Sequence, residues 1–310
     1  MASIDERLKD VLDETRLAML GTQLLMGMQY RAAFSPIFDS LPHPFRLLDC
    51  AALLLILGTT GLLLATPLFH QIAEAGHATP RMLHRASGHL QAALLPLATG
   101  LGIDVAIGFA PVTGALGAAG AGGLFVLGSL AAWYMWPLLS PLRRKPREAP
   151  RESKQQSLET RIGQVLTELR VILPGAAALF GFQFAAALTQ AFARLPTVSK
   201  AVHLASLGAV ALAVIMLIAP AAYHRIAAGG DAGEGVLRYA VRLMIPGVGL
   251  LALGLVGDCY VTVQMVIGRP FLALAISGAA FFALAALLYG VPLASRRRGE
   301  RAALQLGAAS

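Results

Sequence analysis

Residues 12–30, LDETRLAMLGTQLLMGMQY, and residues 166–184, LTELRVILPGAAALFGFQF, are two versions of one passage. Each runs from a charged turn into an apolar stretch of helical length and closes on glutamine followed by an aromatic residue. Shifting the chain by 154 residues lays 12–108 on 166–262 without a gap, and at least a quarter of the positions are identical. So apolar a composition would give roughly a tenth by chance. The kinds of residue decide the matter. Glu14 and Arg16 fall on Glu168 and Arg170, Gly21 and Gly27 on Gly175 and Gly181, and Gln29 on Gln183. Leu41-Pro42 falls on Leu195-Pro196, His70 on His224, Gly100 on Gly254 and Asp104 on Asp258. With one extra residue after Gly268, Tyr134 and Pro137 match Tyr289 and Pro292. Hydrophobicity alone does not put glutamine, histidine, proline and aspartate in register, so the chain reads as an internal duplication.

The passage is also too apolar for a water-soluble protein. Of the 310 residues 56% are hydrophobic and 14% charged, against roughly half and a quarter in soluble domains. About 20 apolar residues cross the hydrocarbon layer of a bilayer as a helix. Eight windows meet that length, near 17–39, 47–70, 84–108, 112–138, 171–193, 201–223, 238–264 and 271–293. With eight spans, twenty of the 25 basic residues fall on one side, the pattern of cytoplasmic loops. The net charge of +8 therefore reflects topology, and nucleic acid is not an expected partner. Both termini are expected in the cytoplasm, and no cleavable signal precedes the first span.

The fold class expected is all-α and polytopic: two parallel four-helix transmembrane bundles in tandem, related by an axis along the membrane normal. Residues 1–140 form the first repeat, 141–157 a proline- and charge-rich linker, 158–295 the second repeat, and 296–310 a basic tail. Ile4, Leu8, Val11 and Leu12 make an apolar stripe that Leu158, Ile162, Val165 and Leu166 repeat. Each stripe predicts a short amphipathic helix lying on the inner face or packed under its bundle. The two repeats are expected to pack as a pseudo-twofold pair, the fused form of a homodimer.

The strings APAAYHRI (219–226) and GFQF (181–184), with the GxxxD of Gly100–Asp104 and Gly254–Asp258, resemble an uncharacterised bacterial family of four-span membrane proteins often catalogued as sodium:proton antiporters. The resemblance covers about 159–268 well, while the first half carries ATPLFHQI and GMQY in the matching places. It implies a fused tandem pair of such units in a bacterial cytoplasmic membrane.

Ionisable and amide groups inside spans are costly, which makes them functional candidates. Asp104 and Asp258 are carboxylates of the kind a cation and a proton could share. Counted along their helices, Asp104 lies about 28 Å beyond Arg85 and Asp258 about 24 Å beyond Arg242, near the outer boundary. There a carboxylate reaches water cheaply, which favours a structural role. Gln29 and Gln183 fall deeper, about 20 Å from Arg16 and Arg170, where an amide bridges helices. Arg31 either snorkels outward or pairs with Asp104. At the inner end Glu14, Arg16 and His70, repeated as Glu168, Arg170 and His224, suggest a cluster between the first two spans of each half. That cluster reads as an interfacial anchor before it reads as a pH-sensitive gate.

Neither a cofactor nor a metal is expected. His70, His84 and His89 gather at two span ends, but only His70 has a histidine counterpart, which argues against haem. Walker, HExxH and nucleophile-elbow motifs are absent, so no enzyme chemistry is expected. Cys50 and Cys259 are not equivalent positions. Two function classes remain: a secondary ion transporter of cation/proton antiporter type moving small cations or protons, and a non-transporting membrane scaffold that docks a partner through its basic linker.

Overall fold

The computed structural model describes residues 4–139, 158–228 and 233–307, and among these no strand occurs. The linker, and with it the docking role suggested for 143–156, lies outside the described residues. Helix α1 (Ile4–Ala32) is one unbroken rod. Its buried residues Ile4, Leu8, Leu12, Thr15, Met19, Gln23, Met26 and Tyr30 recur every three or four positions, a single stripe from end to end. The amphipathic segment expected as a separate helix is thus the first part of α1. Ile4, Leu8 and Leu12 cluster there with Phe69, Ala78, Met82 and Ala86. The second half repeats this in α6 (Leu158–Ala187), where Ile162, Val165, Leu169, Ile172, Ala176, Leu179 and Gln183 are buried.

Both first spans stop short of their sequence windows, and for the same reason. Ser35 caps the short helix α2 (Pro36–Ser40) by accepting from the Ile37 amide, and Thr189, its counterpart, caps α7 (Gln190–Arg194) by accepting from Phe192. Leu41-Pro42 and Leu195-Pro196 then lead into α3 (His43–Ile72) and α8 (Thr197–Ile226), with Pro42 and Pro196 at the N-cap positions.

Helix α4 (Pro80–Leu130) is continuous in hydrogen bonding but not in direction. Gly114 adopts φ 69°, a left-handed conformation open to glycine, three residues after Pro111. Gly122 consequently lies against the Gly102 carbonyl and Ala106. A straight helix would hold residues 102 and 122 about 30 Å apart, so the chain doubles back at the glycine. A π-helical turn (Ala131–Met135) and the short α5 (Trp136–Leu139) end this half. In the second half α9 (Glu234–Ile267) ends on left-handed Gly268, and Pro270 opens α10 (Pro270–Ala285). A π-helical turn (Ala286–Gly290) and α11 (Val291–Gly307) follow. Tyr134 donates to the Gln91 carbonyl at 2.5 Å, and Tyr289 to Ile245 at 2.8 Å, the same tie in both halves.

Among the described residues six helices are long and apolar enough to cross a bilayer, with the doubled-back Pro80–Met135 counted as one. Helix α1 is not among them, because Thr22, Gln23, Gln29 and Arg31 dilute its apolar run. Large apolar side chains such as Val112, Leu116, Leu124, Phe271 and Phe282 stand exposed around the outside, as lipid contact requires. The halves touch directly: α1 packs on α6, and α3 packs on α9 and α10. The first contact is close because Gly27 faces Phe182 and Gly175 faces Gln23, leaving no room for a Cβ. The arrangement departs from a twofold. The apolar stretch of α3 is 61% buried and that of its counterpart α8 only 28%.

Candidate functional site

Each half holds one glutamine–aspartate pair, joined by the same hydrogen bond. Gln29 Nε2 on α1 donates to Asp104 Oδ1 on α4 at 3.1 Å, and Gln183 Nε2 on α6 donates to Asp258 Oδ2 on α9 at 2.6 Å. Counting along each helix sets glutamine and aspartate at different depths; the bond puts them at one level. It also gives Asp104 a different partner from the Arg31 considered above. Among the described residues no basic side chain forms an ion pair with Asp104 or Asp258.

The surroundings of the two pairs differ. In the second half Gln183 and Asp258 are each 1% exposed, so the expectation that Asp258 reaches water cheaply is overturned. His203 on α8, fully buried, donates from Nε2 to the Gln183 carbonyl at 3.1 Å, an oxygen that can only accept. Its Nδ1 is then free to accept from the Tyr30 hydroxyl at 2.6 Å. Tyr30 comes from α1 of the other half and stacks on the imidazole at 5.8 Å between ring centroids, while Phe34 and Phe192 wall the ring in. Gln183 Oε1 and Asp258 Oδ1 are buried and unpartnered. Low local dielectric makes such groups expensive unless something binds them.

In the first half Asp104 is only half-buried. Gln29 also donates to the Asp49 backbone carbonyl at 3.2 Å. Asp49 on α3 stands at the position corresponding to His203, and its carboxyl group lies close enough to Asp104 and Gln29 to interact with both. Tyr30 has no polar counterpart: Phe184 takes its place and is 52% exposed. Asp49, His203 and Tyr30 escaped the sequence reading. The 154-residue shift carries the signal that could have found two of them, since it lays Asp49 on His203, one ionisable group on another inside a span.

At the inner end the cluster expected within each half forms across the halves instead. His70 Nδ1 on α3 meets Glu168 Oε1 on α6 at 2.7 Å, and Gln71 Nε2 donates to Glu168 Oε2 at 2.9 Å, all three buried. Arg16 pairs with Asp13 on its own helix. Glu14 and Arg170 are exposed and His224 is half-buried, so the second copy of the cluster is not assembled. The reason is the unequal packing of α3 and α8: only α3 is covered deeply enough to bring its histidine against the other half. Nearby, Arg161 donates to the Ala75 carbonyl at 2.6 Å and Arg81 to Glu74 at 2.5 Å, fastening the inner loop.

Among the described residues no group of three His, Cys, Asp or Glu side chains gathers as a metal site, and Cys50 and Cys259 are buried free thiols. What the fold defines is a multi-pass helical protein with two polar centres and a buried His70–Glu168 contact across the halves. The chain belongs to DUF6328, a family of unknown function, whose sequence model matches residues 2–137 and 151–292, one stretch on either side of the linker. No curated protein and no solved structure matches the chain.

Proposed function

We propose that the protein is a duplicated, eight-crossing secondary transporter of the bacterial cytoplasmic membrane, moving protons or small cations through the two glutamine–aspartate centres. The observation that carries this reading is the bond between Gln183 and Asp258 with both residues 1% exposed, in a centre open to no basic partner. A carboxylate sealed among lipid-facing helices is costly, and apolar packing would hold a scaffold together as well or better. Such a group is useful where a proton or cation must be taken up and released. Asp258 is the exchanging carboxylate of the second half, with Gln183 orienting it; Asp104 and Gln29 play these parts in the first. His203 and Tyr30 tie the second centre to the other half, so that movement between halves and occupancy of Asp258 are linked. A cation/proton antiporter is the mechanism that fits this set.

The doubling back at Gly114 gives the first half two antiparallel arms, which with α1, α3, α6, α8, α9 and the α10–α11 rod makes eight crossings. Both matched stretches of the family model, and the tyrosine ties 155 and 154 residues apart, support a tandem duplication. Reporter fusions at the two termini should both report the cytoplasm. Flux is the decisive test. Proteoliposomes of the wild type should pass protons under an imposed cation gradient, and the Asp104→Asn/Asp258→Asn double variant should not. Equal flux in the two, or none in a folded wild type, returns the protein to the scaffold class.

A further inference from the structure

The first-half centre has a feature the second lacks: two carboxyl groups face one amide. Asp49 is 6% exposed and its Oδ2 has no hydrogen-bond partner. Asp104, which shares the Gln29 amide, is half-buried. Acidic neighbours alone would signify little, but Gln29 adds an independent sign. It is 8% exposed, and its nitrogen is held between the Asp49 carbonyl and the Asp104 carboxylate, both of which can only accept. The amide oxygen, on the same head group, therefore has nothing to accept and is unpartnered. Oxygen-bearing side chains from three different helices thus meet around a single donor, Gln29 Nε2, which leaves Asp49 Oδ2 and Gln29 Oε1 unsatisfied.

Two arginines lie near the cluster in sequence. Arg31 follows Gln29 by two residues on α1, and Arg46 precedes Asp49 by three on α3. Neither forms an ion pair with Asp49 or Asp104, and Arg46 Nε is itself buried without a partner. Cys50, the remaining titratable neighbour, is a buried thiol. Carboxylate and amide oxygens at such a convergence suit hard cations rather than thiophilic ones.

We propose that Asp49, Asp104 and Gln29 form a binding site for a small hard cation in the first half, and that the second half has no such site because His203 stands where Asp49 does. The proposal deepens the transport reading and rests on it for its purpose, but not for its test. Binding is measured without any gradient, on the full-length protein in detergent, with radioactive sodium and radioactive calcium as probes. The wild type should bind one of the two saturably. Asp49→Asn and Asp104→Asn should each weaken binding at least about tenfold, since affinity at oxygen-lined sites follows the number of charged ligands. The exposed Asp39→Asn should leave binding unaltered.

Because Asp49→Asn could disturb packing, the same samples are melted with and without the cation. The wild type and Asp39→Asn should gain thermal stability from it, and the Asp49→Asn and Asp104→Asn proteins should melt as single species that gain none. Failure of the wild type to bind either cation overturns the proposal, as does wild-type affinity in Asp49→Asn. A protein that passes protons yet binds no cation sinks this site and spares the transport reading. One that binds but passes nothing does the reverse.

Discussion

Asp258 is sealed behind Gln183, His203 and Tyr30, whereas Asp104, its counterpart, is half open and faces Asp49. The difference has one structural source. Helix α1 delivers Tyr30 into the other half, while α6 leaves the corresponding Phe184 exposed. The same asymmetry appears at the other end of these helices, where His70 is fully buried against Glu168 but His224 is only half-buried and Arg170 and Glu14 are exposed. If the halves arose by the duplication proposed above, each contact surface became free to change without its counterpart. The halves keep the glutamine–aspartate bond and diverge in everything around it.

The comparison can be broken most severely at the inner pair. Glu168→Ala leaves His70 and Gln71 buried without their acceptor and should cost about 3–5 kcal/mol of stability, since two buried polar groups each lose a partner. The equivalent Glu14→Ala, on an exposed side chain, should stay within about 0.5 kcal/mol. Thermal melting of both in detergent checks the contrast, and equal losses would remove the asymmetry on which the account depends.

Glycine contacts offer a smaller effect of the same kind. A methyl at Gly254 would run into Val210 and close to the Ser206 carbonyl, while one at Gly100 would meet Ile56 at 3.1 Å and the Ala52 carbonyl at 3.5 Å. Gly254→Ala should therefore cost about 1–3 kcal/mol, and Gly100→Ala clearly less. Likewise Gly175→Ala, against Gln23, should lower the melting temperature more than Gly21→Ala, which has nothing within 4 Å. A loss of about 1–2 kcal/mol is expected at Tyr30→Phe, which removes one hydrogen bond and leaves His203 Nδ1 unpartnered. Phe184→Leu at the exposed counterpart should be close to neutral in the same melting series.

Much of this was legible in the sequence, for physical reasons that can be named. The apolar runs gave the long helices, because length and hydropathy are what a bilayer selects. The register of Gln29 with Gln183 and Asp104 with Asp258 picked out the residues that are bonded to one another. Their pairing was not legible, since distance counted along each helix says nothing of how the helices are staggered. Asp258 was judged cheap to hydrate on that count and is 1% exposed. Asp49 and Tyr30 went unseen because each is polar in one copy only or changes type between copies, so a search for identical polar residues passes over them. The short helices after α1 and α6 were missed because Ser35 and Thr189, the caps that end the first spans, are inconspicuous in an apolar stretch.

The central claim is that the two aspartates exchange protons or cations and do so in unequal settings. Proton uptake by proteoliposomes, driven by an imposed cation gradient, tests it with four proteins: wild type, Asp104→Asn, Asp258→Asn and the double variant. The account predicts that each single variant is impaired, that cation dependence is lost in Asp104→Asn, and that the double variant is inactive. Undiminished uptake by the double variant would contradict it.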